Sequence, residues 1–452
     1  MRSEEPWNLK TFLKALGLLP SQEREDPAWE IPVLQQLTVA IEVLGGKIGE
    51  SSKRAVSRRA LDSYGRLSDT EKVTFFEQLL DDYEVDPPAV DAAYRSWSNG
   101  GGSAELVTLI KEVEPRRQGL LRNLNHADGA TLELVSMRAD LLRLIHEGHD
   151  RLKPLDHDFR HLLSSWFNPG FLDLGEITWE KAKAVSEHLI KYESVHPIHD
   201  VGELKKRVHP RDRVIYGFTH PATGDLPLIF VEVAFANGLP TGIDEILKPR
   251  QTINPAKADT AVFYSINSSF DGLAGISFGN LLIKRVTQLI QASMPNIVAF
   301  TTLSPLPGLR KWLERSDDEN HRRLVKELKE PGTAEAEPDR VGLEERFVAA
   351  AAQYITETKN ERGLPIDPVG RFHLGNGATA WRIVWPASTR DYIWEKSFGG
   401  MIIYRYEPEK IENQHEDFVR NQKISVSPYF LTPIKHTSRE PSQHEQSEVH
   451  ID

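Results

Sequence analysis

Two segments of the chain place reactive side chains where the backbone has to turn. In Thr301-Thr-Leu-Ser-Pro-Leu-Pro-Gly308 a serine, Ser304, closes a β-prone run just ahead of two prolines. Strand ends commonly open into ligand crevices, so its hydroxyl is placed to meet a substrate; the competing reading makes it the cap of a short helix running to Leu313. In Arg371-Phe-His-Leu-Gly-Asn-Gly-Ala378, His373 precedes a predicted strand and lies beside a Gly-Asn-Gly turn. Imidazole is the natural proton carrier near neutral pH, although a lone histidine also has a structural reading. A third segment, Asp271-Gly-Leu-Ala-Gly-Ile-Ser-Phe-Gly-Asn280, joins a predicted strand to a predicted helix. Backbone N–H groups in such a loop, with a helix N-terminus behind them, can hold a diphosphate, and Gly272, Gly275 and Gly279 leave room for one. The glycine spacing fits neither the Rossmann fingerprint nor the P-loop, and a ligand-free tight turn is the alternative.

Other chemistries are excluded by composition. Cys is absent, which removes disulfides, thiolate zinc sites, iron–sulfur ligation and a cysteine nucleophile together. None of the four Met residues is followed by Lys, so the Met-Lys-Met type of biotin attachment site is missing. His196, His209 and His220 each precede a proline and read as rigid turns. His199 follows His196 by three residues, but Pro197 between them argues against a helical ligand pair, and no metal site is expected. Lys plus Arg total 55 against 66 Asp plus Glu, a net charge of −11 with no basic stripe, so nucleic acid is not an expected partner. No run reaches the ~20 apolar residues of a membrane span, and the N-terminus has early acids and no apolar core; the reading is a cytoplasmic, untargeted chain.

The elements that must position these residues fall into two blocks. From about residue 30 to 165 the pattern is helical. Ser68 opens a capping box with Glu71, and Val73, Phe76, Leu80 and Tyr83 follow at the spacing of one helical stripe, expected to be core. Asn99-Gly-Gly-Gly-Ser103 interrupts the pattern, Leu106, Ile110 and Val113 restart it, and a further helix is predicted over Leu132–Ile145. Nothing in this block gathers reactive side chains, so its expected job is packing or self-association. After Trp166 the period changes. Strands are predicted at 213–219 and 226–235, joined by a hairpin loop at 220–225, then at 260–267, 296–303, 378–385 and 400–406. A helix over 281–294 with Leu282, Val286, Leu289 and Ile290 on one side follows the glycine loop. Glu330–Pro338 reads as a flexible excursion between helices. The expected fold class is α+β, with a helical domain at 1–165, a mixed-sheet domain flanked by helices at 166–435, and a disordered tail at 436–452. The partly antiparallel strand order suits an acyltransferase-like sheet with coenzyme A lying over the glycine loop.

Read as a continuous series, residues 196 to 407 resemble the malonyl-CoA decarboxylase family, whose catalytic domain is similar to the GNAT acyltransferases. The resemblance rests on His196-Pro with Leu204-Lys-Lys-Arg-Val208, Phe263-Tyr-Ser-Ile266, Gly272-Leu-Ala-Gly275 with Phe278-Gly-Asn-Leu-Leu-Ile-Lys-Arg-Val286, Thr302-Leu-Ser-Pro-Leu-Pro-Gly308 with Trp312-Leu313, Phe372-His-Leu-Gly-Asn-Gly-Ala378 with Trp381-Arg-Ile383, and Tyr404-Arg-Tyr406. In the helical block, Met137-Arg-Ala-Asp-Leu-Leu142, Trp166-Phe167 and Gly170-Phe-Leu172 are similar too. The resemblance implies a GNAT-like catalytic domain, conversion of malonyl-CoA to acetyl-CoA and CO2 in fatty acid metabolism, and a homo-oligomer, dimer or tetramer, built through the helices. It makes Ser304 the proton acceptor and His373 the proton donor, with both also contacting substrate. Tyr406 becomes an active-site tyrosine, bonded to the thioester or to Ser304, with plain core packing as the alternative. The coenzyme A loop falls on Ala274, Gly275, Ile276, Ser277, Phe278, Gly279 and Asn280. Ser277 stands where relatives carry an acid, so a role for that acid is not expected here. No cofactor is expected, because the thioester itself takes up the electrons left by CO2 and coenzyme A is part of the substrate. The alternatives are a coenzyme A-dependent acyltransferase and a non-catalytic, acyl-CoA-binding helical oligomer.

Overall fold

The computed structural model describes residues 32–46, 48–248, 252–276, 279–330 and 340–432. The expected tail at 436–452, and the expected excursion at 330–338 beyond its first residue, lie outside the described residues. The chain divides into two compact units, one of Met1–Phe171 with Phe270–Ile276, the other of Leu172–Ser269 with Ser277–Asp452. It is an α+β chain: helices first, then a mixed sheet flanked by helices.

The described part of the first unit holds α1 (Val33–Gly45), α2 (Glu50–Tyr64), α3 (Asp69–Asp82), α4 (Pro87–Ser98), α5 (Ser103–Glu112), α6 (Arg116–Leu124), α7 (Ala130–His146) and α8 (Lys153–Trp166). The capping box forms: the Ser68 hydroxyl accepts from Glu71 N at 3.4 Å while the Glu71 carboxylate accepts from Ser68 N at 2.8 Å. The buried face of α3 is Phe75, Phe76 and Leu79, turned away from the expected stripe of Val73, Phe76, Leu80 and Tyr83. Two adjacent aromatic rings decide the rotation, because Phe75 and Phe76 both meet Tyr64 of α2 edge-on, at 5.6 and 6.0 Å between centroids. The expected stripe of α5 is not core: no residue of α5 is buried, and Leu106, Ile110 and Val113 are all exposed. α5 packs mainly on α4, and a two-helix hairpin leaves one side of each helix uncovered.

The second unit is organised by β1 (Asp173–Glu176), β2 (Arg213–Thr219), β3 (Ile229–Ala236), β4 (Thr260–Ser268), β5 (Ala299–Thr302), β6 (Ser304–Pro305), β7 (Thr379–Val384) and β8 (Met401–Tyr406). Their order is β1-β2-β3-β4-β5-β8-β6, with β7 also paired to β8. β1 through β4 run antiparallel, β4 and β5 are parallel, and β8 is antiparallel to β5, β6 and β7. The β-branched and aromatic runs Arg213–Thr219 and Thr260–Ser268 are buried along nearly their whole length, as strands inside a covered sheet must be. Helices Trp179–Ala184, Ser186–Tyr192 and Val201–Val208 pack on Ile215 and Phe230, while Ile243–Leu247 and Asp391–Ser397 pack on Val262, Tyr264 and Ile403. In the helix Gly279–Ser293, Leu282, Val286 and Ile290 are buried as expected, whereas Leu289 is exposed.

Two irregularities open the sheet. β4 pairs with β5 only from Thr260↔Ala299 to Phe263↔Thr302, and the remaining length of β4 has no β5 partner. At the same place the β3–β4 register slips, so that Glu232 faces Ser265 and Val233 faces Phe263, leaving Tyr264 as an extra residue in β4. A bulge bends a strand and re-aims its side chains. The free half of β4 and the start of β6 therefore frame a gap rather than a continuous ladder.

Candidate active site

Ser304 occupies that gap. It is the first residue of β6, paired with Ile402 of β8, and it does not cap the helix Leu309–Glu314, whose N-cap is Gly308. The ladder between β5 and β8 is interrupted just before it, where Tyr404 N donates to the Thr302 hydroxyl at 3.2 Å instead of to a carbonyl. Thr302 and Ser304, two residues apart along an extended backbone, point the same way, and the Ser304 hydroxyl donates to Thr302 Oγ1 at 2.9 Å.

As expected, His373 precedes a strand, β7, and stands beside the Gly375-Asn-Gly377 turn; unexpected is its place in the last full turn of a helix, Pro368–Gly375. Asp367 caps this helix, accepting from Gly370 N at 2.6 Å, and Pro368 pre-sets the first turn. The helix brings His373 Nε2 to 3.0 Å from Ser304 Oγ. On the other side of the ring, Nδ1 lies 2.8 Å from the Tyr406 hydroxyl, and the ring stacks on Tyr404 with centroids 4.7 Å apart. Tyr406 thus bonds to His373, not to Ser304. All three side chains are buried. Burial pushes His373 down to about 3 and Tyr404 and Tyr406 well above the usual phenol range, so the resting line is neutral: Tyr406 O–H donates to Nδ1, and Nε2–H donates to Ser304.

Ser304 and His373 line a cavity of about 260 Å³ together with Val195, Ile229, Phe263–Ile266, Ser268, Pro305, Pro368, Val369 and Phe372. The free half of β4 supplies one wall. None of the lining residues is Lys or Arg.

Asp367 itself is held away from its ordinary behaviour. Burial pushes its carboxyl up from 3.8 to about 6, against the hydrogen bonds from Gly370 N and Tyr354 O–H that favour the anion. A raised native value means that the fold binds the proton more tightly than the unfolded chain. Its contribution to stability is complete below 3.8 and is lost as pH rises through about 6, a change of about 3 kcal/mol. Urea unfolding from pH 4 to 7 should show this loss, and Asp367→Asn should flatten that part of the profile; an unchanged slope in the variant would remove the assignment.

Behind β4 lies a buried polar cluster that sequence reasoning missed. Glu193 accepts from Ser265 Oγ at 2.7 Å, Asn267 Nδ2 at 2.6 Å and His196 N at 2.6 Å. Arg207 donates to Glu232 at 2.8 Å and to His196 O at 3.1 Å. Burial, then the neighbouring Glu232, holds Glu193 above the ordinary carboxyl range. His196 is a fully enclosed ring bonded through Nδ1 to the Tyr392 hydroxyl at 2.8 Å, and burial with Arg207 pushes it down to about 3. Of the other histidines followed by proline, His220 accepts from Ala222 N in its own turn. Among the described residues no group of three or more His, Cys, Asp or Glu is placed to hold a metal ion.

Of the expected coenzyme A loop, Ala274, Gly275 and Ile276 are described; Ser277 and Phe278 lie outside the described residues, and Gly279 and Asn280 are described only as helical backbone. Gly272 leaves space for the protein rather than for a ligand, since a Cβ there would fall 1.8 Å from the Val135 carbonyl oxygen. Gly275 has φ +76°, a conformation glycine adopts freely.

Comparison with known proteins places this geometry. Residues 170–444 match the family model of the malonyl-CoA decarboxylase C-terminal domain, and residues 83–167 that of its N-terminal domain. The chain is 32% identical to the mitochondrial malonyl-CoA decarboxylase of Rattus norvegicus over 354 residues, 71% of each chain, and 32% identical to that of Anser anser anser over 352 residues, 71% of this chain and 69% of the relative. The crystal structure of malonyl-CoA decarboxylase from Rhodopseudomonas palustris superposes with a TM-score of 0.83 at 38% identity, covering 87% of this chain and 98% of that one. The Agrobacterium vitis enzyme gives 0.82 at 36% identity over the same shares. With both domain models matched in order over most of its length, the chain belongs to the malonyl-CoA decarboxylase family.

Proposed function

We propose that the protein is a carboxy-lyase that converts malonyl-CoA to acetyl-CoA and CO2, with Ser304, His373 and Tyr406 as its proton-transfer line. The observation that carries the reading is this neutral hydrogen-bonded line at the wall of a cavity that has no cationic side chain. A malonyl carboxylate entering such a cavity exchanges water for Ile229, Phe263, Val369 and Phe372. Loss of CO2 moves that charge off the desolvated carboxylate and onto the thioester, so desolvation of the carboxylate favours the step. The C–C bond breaks, its electron pair passes to the α-carbon and the thioester carbonyl, and an enolate results. The enolate carbon is far more basic than an alkoxide or a phenolate, so no imidazolium is needed to protonate it. The proton of the expected donor, His373, reaches carbon through Ser304, which both gives and accepts: Ser304 O–H gives its proton to carbon, His373 Nε2–H restores the serine, and the Tyr406 proton moves to Nδ1. After acetyl-CoA leaves, a proton from water enters at Ser304 as the serine proton passes to Nε2 and Nδ1–H returns to Tyr406, which restores the resting tautomer. The electron sink belongs to the substrate, so the reading requires neither metal nor cofactor.

Incubation with malonyl-CoA alone tests the function. Release of CO2 and acetyl-CoA without an acyl acceptor, undiminished by a chelator, is the expected result; turnover only with an added amine acceptor would favour the acyltransferase alternative. The neutral line also predicts a pH profile. With the His373 value pushed down to about 3, kcat stays level between about pH 5.5 and 7.5, and a descending limb near the ordinary histidine value would contradict the mechanism.

The same proposal includes self-association as a dimer or tetramer. The hairpin of α4 and α5 exposes Tyr94, Trp97, Leu106, Val107, Ile110 and Val113, an apolar set that a second copy would cover. Light scattering of the wild type and of Ile110→Glu checks it, with a smaller particle expected for the variant. No helix among the described residues is long and apolar enough to cross a membrane. Cytoplasmic residence is supported by the cysteine-free composition, and fractionation of the source cells decides it.

A further inference from the structure

The segment Phe270–Ile276 clusters with the helices of the first unit, and two arginines of those helices meet it. Arg138 of α7 is 2% exposed. Its Nη1 donates to the carbonyls of Gly272 at 2.7 Å and Ala274 at 2.9 Å, while Asp156 of α8 holds its Nε at 2.8 Å. These bonds, with Gly272 seated on Val135, fix the loop backbone. Within the loop the amides of Leu273, Ala274 and Ile276 donate to carbonyls of the same segment, whereas that of Gly275 has no acceptor among the described residues. The second arginine, Arg160 of α8, is exposed, and its Cζ, Nε and Nη2 lie 3.6–3.8 Å from where a Gly275 Cβ would stand. No carboxylate among the described residues pairs with it. The result is a cation beside an exposed, glycine-bared turn whose Gly275 amide has no acceptor among the described residues.

We propose that Arg160 binds the diphosphate of coenzyme A over Gly275. The guanidinium fork matches phosphate oxygens, and the missing side chain at Gly275 lets the phosphate approach the backbone amide. Arg138 acts one step back, as a positioning residue that holds the carbonyls on the other side of the turn. The inference rests on coenzyme A being the handle of the substrate.

The test compares the wild type with Arg160→Ala and Arg160→Lys, using coenzyme A itself as a calorimetric probe and two substrates, malonyl-CoA and malonyl-pantetheine, the second lacking every phosphate. Arg160→Ala should raise the Kd for coenzyme A and the KM for malonyl-CoA about tenfold or more, leave kcat within about twofold, and leave malonyl-pantetheine turnover unchanged; Arg160→Lys should recover part of the loss. Dephospho-coenzyme A should show the same loss in Arg160→Ala, because the diphosphate is the group recognised; a loss confined to coenzyme A with its 3′-phosphate would overturn the assignment. An unchanged Kd, or an equal loss with malonyl-pantetheine, would overturn it as well. If the wild type binds coenzyme A but does not decarboxylate malonyl-CoA, the decarboxylase reading fails while the Kd comparison still decides the role of Arg160.

Discussion

Replacing His373 with alanine lowers kcat for acetyl-CoA formation by ~10²–10⁴-fold, the range for loss of a group that transfers a proton. The side chain has no neighbour able to take its place, since Tyr406 reaches Ser304 only through the imidazole. Ser304→Ala should fall in the same range, and the double variant should be little worse than either single one, because groups in one relay act as a unit. His373 is also packed on Tyr404, so the variant is expected to lose some stability. His373→Gln fills more of the space and separates the two effects: it should fold like the wild type and remain inactive. Near-normal turnover in a folded His373→Gln protein would remove the imidazole from the mechanism.

The largest stability effect is expected at Arg207. It is the cation of a buried group that contains two carboxyls, Glu232 and Glu193, and Glu232 is completely enclosed. Removing one partner of a buried ion pair strands the other charge in a medium of low polarity, which costs about 3–5 kcal/mol. Arg207→Met keeps most of the apolar stem and should show that loss as a lower urea midpoint with an unchanged slope. Glu232→Gln leaves Arg207 an acceptor and a neighbouring carboxyl, so its loss should be smaller. Equal effects of the two substitutions would mean that packing, not charge, governs the cluster.

These two sites differ in how far the amino-acid order revealed them. The long β-branched runs at 213–219 and 260–267 declare themselves as strands, because burial on a sheet leaves a continuous apolar record. The capping box of Ser68 and Glu71 is local and equally legible. The helix carrying His373 leaves no clear helical pattern, since its eight residues include Gly370 and Gly375, which weaken one. Asp367-Pro368, a capping residue followed by a first-turn proline, was the available signal. β6, two residues long, leaves no periodicity to read. Ser304 and His373 are 69 positions apart, and no local rule joins them; family resemblance alone suggested the pair, and the distance of 3.0 Å shows that they meet. The cluster of Glu193, His196, Arg207 and Glu232 was invisible for the same reason, because its members come from two helices' ends and a central strand. The helical stripes failed in another way: spacing identifies an apolar face but not what covers it, and in α5 nothing within the described chain does.

The grouping of Phe270–Ile276 with the helices bears on how such a chain can be inherited and dissected. A cut near Phe171 would give a C-terminal fragment whose glycine turn has lost the arginine that grips it and an N-terminal fragment gripping nothing. Either piece is expected to be less stable than the same residues in the whole chain. Chimeras that graft one half onto a distant relative's other half should therefore succeed only when the turn travels with the helices that hold it.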